Sequence, residues 1–259
     1  ESTYGDTSVE EINHGFFSEK VLEAIEERKT IILPVFSLGR SQEILLRLKE
    51  LQDTNKLDVN IPIYFDGKLA QAYTALYCNS KILIDESKKD FFPRNLVAVN
   101  CEIREKLLQT DDCKIIVTTS GMGTYGPAQV YIPYFISKEN ALILFTGYTA
   151  EGSFGANLRN AEEGEIVKVG GLICKKFADV SYCNEFSAHA KSEELIELLK
   201  KFNNLRGVLI NHGQTETKDA FAEKILKEID ISEVGILNRE YFFRIGSYGI
   251  IKTLSTKFK

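Results

Sequence analysis

The chain has 259 residues, 44% hydrophobic and 27% charged, with 18 Gly and 5 Pro; these values exclude a disordered, collagenous or coiled-coil chain. Its 32 Lys and Arg against 37 Asp and Glu leave a net charge of −5, which argues against a broadly basic polyanion binder but leaves room for a local basic channel. No apolar run reaches the roughly 18 residues of a membrane-spanning helix, and 5 cysteines without a C-x-x-C pair favour reduced thiols in a cytoplasmic protein over a disulfide framework or zinc ribbon.

The first 150 or so residues alternate strand-like and helix-like runs. Ser8-x-x-Glu11 has the form of a capping box, and Val21, Leu22 and Ile25 continue a helical stripe. Residues 30–35 (TIILPV) form an apolar run suited to a buried strand. Residues 41–51 follow as a helix, with Ile44, Leu45, Leu48 and Leu51 on one face. A strand is predicted over 61–65, a helix over 68–77, and two more strands over 114–118 (KIIVT) and 141–146 (ALILFT). The alternation predicts an α/β fold: a mostly parallel sheet with helices on both faces, ligands gathering at the carboxyl ends of the strands.

After about residue 164 the pattern changes. Residues 165–176 read as paired short strands around Gly170-Gly171, 192–202 as an amphipathic helix, and 207–211 as a buried strand. A helix over 218–229 carries Phe221, Ile225 and Ile229 four apart. Closing strands are predicted over 234–237, 241–245 and 249–254. No Pro/Gly-rich linker separates these regions.

Four polar, glycine-containing loops follow apolar strands. In the first, Ser37-Leu38-Gly39-Arg40, glycine permits a tight turn, helix-start amides suit an anion, and Arg40 offers a charged fork to a phosphate. The plainer reading is an ordinary strand-to-helix turn with a surface arginine, because such a loop is weakly specific. The second, 118–127, contains Ser120, Gly121, Gly123 and Gly126; the third, 147–155, contains Gly152. Both are long for α/β connections, and long polar loops at strand ends often carry function. The fourth region holds His189, just before the amphipathic helix, and His212, just after the strand 207–211. A histidine so placed ligates a metal or moves protons near neutral pH, although either alone also fits a hydrogen-bonded structural role. His14 lies in a polar stretch and reads as a surface residue.

Together these segments resemble the β-CASP branch of the metallo-β-lactamase-fold nucleases, which includes ribonuclease J and the pre-mRNA 3′-end cleavage subunits. Glu1-Ser2-Thr3-Tyr4-Gly5 resembles motif A, Phe186-Ser187-Ala188-His189-Ala190 motif B, and Asn211-His212-Gly213 motif C. LPVFSLGRSQE, TTSGM and GYTAEGSFG stand between them in the family's order. The resemblance implies a β-CASP domain over 7–186 inserted into a metallo-β-lactamase αββα domain. Residues 1–6 would end that domain's first segment and 187–259 would be its returning segment. It implies an RNA phosphodiesterase with two zinc ions and its site in the cleft between the domains. His212 would ligate zinc, and Glu1 with His189 would act near the scissile phosphate. A paired carboxylate fixes an imidazole's tautomer and favours its charged form, which then protonates a leaving oxygen. Ser37, Gly39, Arg40, Ser120, Gly121 and Gly152 would contact RNA.

Three departures bear on this. Lys191 stands where the family usually has Asp after motif B, which alters the support of His189. Asp66-Gly67-Lys68-Leu69-Ala70 replaces a more frequent Ser-Pro turn. Nothing matches the family's His-x-His-x-Asp-His motif, which supplies most zinc ligands. With Glu at residue 1 and Met122 the only methionine, the chain is expected to be the C-terminal portion of a longer enzyme. It would be inactive alone, with the preceding segment and RNA as partners and room for a homodimer. The alternatives are a non-catalytic RNA-binding or scaffolding member of the family, and an unrelated mononucleotide-binding α/β domain.

Overall fold

A computed structural model describes residues 1–7, 15–79, 90–149, 152–169, 171–238, 241–246 and 249–254. The chain divides into two units, one formed by Glu1–Ile12 with Ala188–Lys259 and the other by Asn13–Ser187.

The larger unit is built on apolar runs that are buried from end to end. Strands β1 (Thr30–Pro34), β4 (Lys114–Thr118) and β5 (Ala141–Phe145) are wholly buried, as continuous apolar runs demand when both sheet faces are covered. With β2 (Ile63–Asp66), β3 (Leu96–Ala98) and β8 (Asp179–Tyr182) they form one sheet in the order β3-β2-β4-β1-β5-β8, every pairing parallel. Successive side chains point to opposite faces, so each strand feeds two cores. Ile31, Leu33, Ile115 and Val117 pack with α1 (Phe16–Glu26) and α2 (Arg40–Asp53) on one face. Ile32, Ile116 and Ile143 pack with α5 (Ala128–Phe135) and α6 (Phe154–Arg159) on the other. Ala70 of α3 (Lys68–Asn79) joins the first core and Leu107 of α4 (Cys101–Leu107) the second. Helices therefore cover both faces of a parallel sheet, as the alternation predicts.

Details differ from the sequence reading. Residues 154 and 155 begin α6 rather than ending the third loop; Ser153 caps that helix by accepting from Ala156 N at 3.3 Å. Helix α1 is entered through Gly15 at φ 108, and the capping box at Ser8 and Glu11, like His14, lies outside the described residues. Strands β6 (Ile166–Val169) and β7 (Leu172–Lys175) form the expected antiparallel pair.

A buried polar lock closes the carboxyl end of β2. Asp66 is 1% exposed; Arg104 donates to both its oxygens at 2.7 and 2.8 Å, and the Tyr131 hydroxyl donates to Oδ2 at 2.7 Å. Burial and the Asp66 carboxylate push the Tyr131 hydroxyl well above its ordinary range, so it stays a donor.

In the smaller unit β9 (Gly207–Ile210) pairs in parallel with β10 (Glu233–Ile236), and β11 (Tyr241–Gly246) pairs antiparallel with β12 (Gly249–Leu254). Helices α7 (Ser192–Lys200) and α8 (Thr215–Glu228) contribute Leu195, Ile196, Phe221 and Ile225 to one core with Ile210. Among the described residues no helix is long and apolar enough to cross a membrane.

Candidate active site

Strand β9 ends at Ile210, and the chain turns through Asn211-His212-Gly213-Gln214 into α8. The turn takes two left-handed residues in succession, His212 at φ 57 and Gly213 at φ 96. Such a backbone costs a non-glycine residue roughly 1–2 kcal/mol, so the surroundings must hold it. They do so through the N-terminal segment. The fully buried Ser2 donates its hydroxyl to the His212 carbonyl, and a Cβ at residue 213 would lie 2.8 Å from the Ser2 carbonyl oxygen. Gly213 is therefore the residue that lets this segment approach. Gly5 N donates back to Ser2 O at 2.9 Å, and Asp6 accepts from Thr217 of α8 at 2.9 Å.

The same segment gathers motif B. Tyr4 and Lys191 form a parallel β-bridge, and Ser192 N donates to Thr7 O at 3.2 Å. Glu194 accepts from Lys191 N at 2.9 Å, starting α7. The result is a three-residue cluster around one carboxylate oxygen. Glu1 Oε2 lies 3.2 Å from His189 Nδ1 and 3.5 Å from His212 Nδ1. Its other oxygen accepts from Thr3 N at 2.6 Å. Partial burial alone would raise the Glu1 carboxyl, but hydrogen bonds from Thr3 and the His189 charge outweigh it and hold the group at about 2. Glu1 is thus an anion throughout the neutral range. Nδ1 of His189 thus faces that anion.

This donor set does not by itself fit a zinc ion. A zinc site takes about four ligands, and among the described residues no group of three or more His, Cys, Asp or Glu is arranged to hold a metal ion. Both imidazoles spend Nδ1 on the same carboxylate oxygen. The His212 ring, 69% exposed, is the one best placed to offer a nitrogen to a metal completed by other donors.

The loop residues expected to meet RNA all lie in the larger unit. β4, β1 and β5 are adjacent and parallel, so the loops after them emerge at one end of the sheet. Gly39 (φ 77) and Gly152 (φ 74) have open space where a Cβ would stand. Ser37 is half-buried, and its carbonyl accepts from Gln42 at 3.4 Å. Ser120 turns its hydroxyl to its own loop, accepting from Tyr125 N at 3.1 Å. Gly121 is required by packing, since a Cβ there would sit 3.0 Å from Phe36. Arg40, also expected to meet RNA, is largely buried. Its side chain is 11% exposed, donates to Thr146 O at 2.6 Å and to Phe186 O, and stacks on the Phe186 ring at 5.3 Å. The guanidinium thus donates to two backbone carbonyls of its own unit.

Comparison with known proteins bears on what this cluster belongs to. The Beta-Casp domain model matches residues 41–158, and the model of the Zn-dependent metallo-hydrolase RNA specificity domain matches 177–234. The chain is 35% identical over 217 residues to the RNase J-like protein of Methanocaldococcus jannaschii, covering 82% of this chain and 50% of that protein. It is 34% identical over 223 residues to the probable RNase MJ4 of the same organism, covering 83% and 49%. It is 28% identical over 240 residues to RNase aCSPSF2 of Saccharolobus solfataricus, covering 90% and 45%. This chain belongs to the β-CASP family of metallo-β-lactamase-fold RNA nucleases. It spans about half the length of the curated relatives it matches.

Within that β-CASP framework the RNA specificity match takes in His189 and His212, and the Beta-Casp match takes in Ser120, Gly121 and Gly152. The sequence reading passed over Ser2, Thr3 and Tyr4, which fix the geometry of Glu1 and the histidines. Gly213 beside His212 was the available signal, because a glycine next to a functional residue often marks a close backbone approach.

Proposed function

We propose that this chain is part of a zinc-dependent ribonuclease that hydrolyses RNA phosphodiester bonds, with Glu1 and His189 as its proton-handling pair. One observation carries the reading: a single carboxylate oxygen lies 3.2 Å from one imidazole and 3.5 Å from a second. The Glu1 anion holds the Nδ1 proton of His189 and orients the ring. Nε2 then donates a proton to the oxygen that leaves phosphorus. A positioned acid of this kind supplies about 10²–10⁴-fold of rate. His212 contributes one nitrogen to a zinc site whose remaining donors are not among the described residues. The family supplies the zinc dependence and the RNA substrate class. In this reading residues 7–186 are the inserted β-CASP domain, and 1–6 with 187–259 belong to the metallo-β-lactamase domain.

The test is hydrolysis of end-labelled RNA by the protein as its gene encodes it. Wild type should cleave and lose activity on zinc chelation, His189→Ala should fall at least about 100-fold, and His212→Ala should lose bound zinc. The 259-residue chain alone should hold no stoichiometric zinc pair and show negligible cleavage. Undiminished cleavage by both histidine variants would overturn the proposal, and RNA binding without cleavage by wild type would leave a non-catalytic RNA-binding role.

A further inference from the structure

Lys191 precedes α7 and is 3% exposed. Its Nζ has no hydrogen-bond partner among the described residues. Lysine is almost never fully buried unless something meets its charge. Here the group that meets it is an aromatic face: Nζ lies 3.5 Å from the centroid of the Tyr4 ring. Burial pushes the ammonium below its ordinary range, the nearby Glu194 only partly opposing this.

Tyr4 is held to Lys191 twice, by that contact and by the β-bridge between their backbones. The Tyr4 ring in turn packs against His189, with ring centroids 6.0 Å apart and planes tilted by 47°. His189 faces Glu1. All four residues lie in the smaller unit. Lys191, Tyr4, His189 and Glu1 thus form a continuous series of contacts running from a buried amine to the carboxylate. An imidazole about half exposed, as His189 is, is held more firmly when a ring packs against it as well as a carboxylate facing one nitrogen. A displacement of about 1 Å at a reacting group costs on the order of 100-fold in rate.

The geometry points to Lys191 as a positioning residue: it anchors the Tyr4 ring, and through that ring it fixes the His189 imidazole against Glu1. This rests on the nuclease reading above. Lys191 does not touch the reacting atoms; it acts through Tyr4.

The experiment compares Lys191→Met, Lys191→Arg and Tyr4→Leu in the protein as its gene encodes it. Met keeps the apolar stem and removes the charge, whereas Arg keeps a cation for the ring. Two readouts are taken: kcat and KM for a short RNA, and the imidazole resonances of His189, which sense the Tyr4 ring current without any substrate. Lys191→Met and Tyr4→Leu should each lower kcat about 10-fold with KM within about twofold, and both should move the His189 resonances. Lys191→Arg should restore kcat to within about threefold of wild type, with His189 near its wild-type position. Unchanged His189 resonances in Lys191→Met overturn the proposal, as does a rise in KM alone, which would make Lys191 an RNA contact. If Lys191→Met does not fold, Lys191→Gln is measured in its place with the same two readouts and the same deciding outcomes. If wild type cleaves no RNA, the nuclease reading fails while the His189 resonances still decide the positioning.

Discussion

Replacing Arg40 separates a structural arginine from an RNA-binding one. Its guanidinium donates to the carbonyls of Thr146 and Phe186 and stacks on the Phe186 ring, with 11% of the side chain exposed. A hydrogen bond from a charged donor contributes about 1.5–3 kcal/mol, and two carbonyls are left without their donor when it goes. The two bonds share one side chain and do not add fully, so Arg40→Ala should cost the larger unit ~2–4 kcal/mol. With a urea m-value of about 2 kcal/mol/M, the midpoint should fall by about 1–2 M. Arg40→Lys should recover no more than half of this, because one ammonium does not reproduce a planar fork across two carbonyls. The assay is urea denaturation followed by far-UV circular dichroism, with RNA affinity measured across a salt series on the folded variant. A stability loss below about 1 kcal/mol, with RNA binding weakened and the salt slope reduced by about one, would refute the argument and return Arg40 to phosphate contact.

The Asp66 lock should show the asymmetry of a buried charge cluster. Asp66→Ala strands the Arg104 guanidinium and should cost about 3–5 kcal/mol, whereas Tyr131→Phe removes one donor and should cost about 1–2 kcal/mol in the same denaturation assay; similar small losses would contradict this. Gly213→Ala should lower the melting temperature more than Gly152→Ala. Both glycines have positive φ, but only residue 213 would press a Cβ to 2.8 Å from a backbone oxygen, and equal shifts would show that the Ser2 approach is not tight. Glu1 is held below its ordinary value of 4.5, so the stability its ionised form contributes is present above that pH and is lost as pH falls through about 2. The carboxyl carbon shift of Glu1 should titrate near pH 2, and a midpoint near 4.5 would contradict the Thr3 and His189 contacts.

The sequence made the central sheet readable where burial on both faces leaves an unbroken apolar run, as in β1, β4 and β5. It hid β3, three residues long and largely exposed, and the edge strand β8, whose Asp-Val-Ser-Tyr carries no run. Helix α5 was masked by Pro133 within it and by the glycine-rich loop before it. At the site, Glu1, His189 and His212 were legible because their motifs carry distinctive neighbours. The surroundings of Arg40 and Lys191 were not legible, because charge in a sequence suggests a solvent-facing group. Whether a cation instead meets a carbonyl or an aromatic ring depends on residues distant in the chain. The carbonyl partners of Arg40 are 106 and 146 positions away, and the ring beneath Lys191 belongs to Tyr4. No local pattern encodes such contacts.

The joint action of Glu1 and His189 is tested most directly by a double-mutant cycle on RNA cleavage, in the protein as its gene encodes it. If the carboxylate works by holding the imidazole, Glu1→Gln and His189→Ala should each lower the rate at least about 100-fold, and the double variant should be within about threefold of the slower single. Losses that multiply in the double variant would mean that the two residues act independently, and the pair would not be the proton-handling unit.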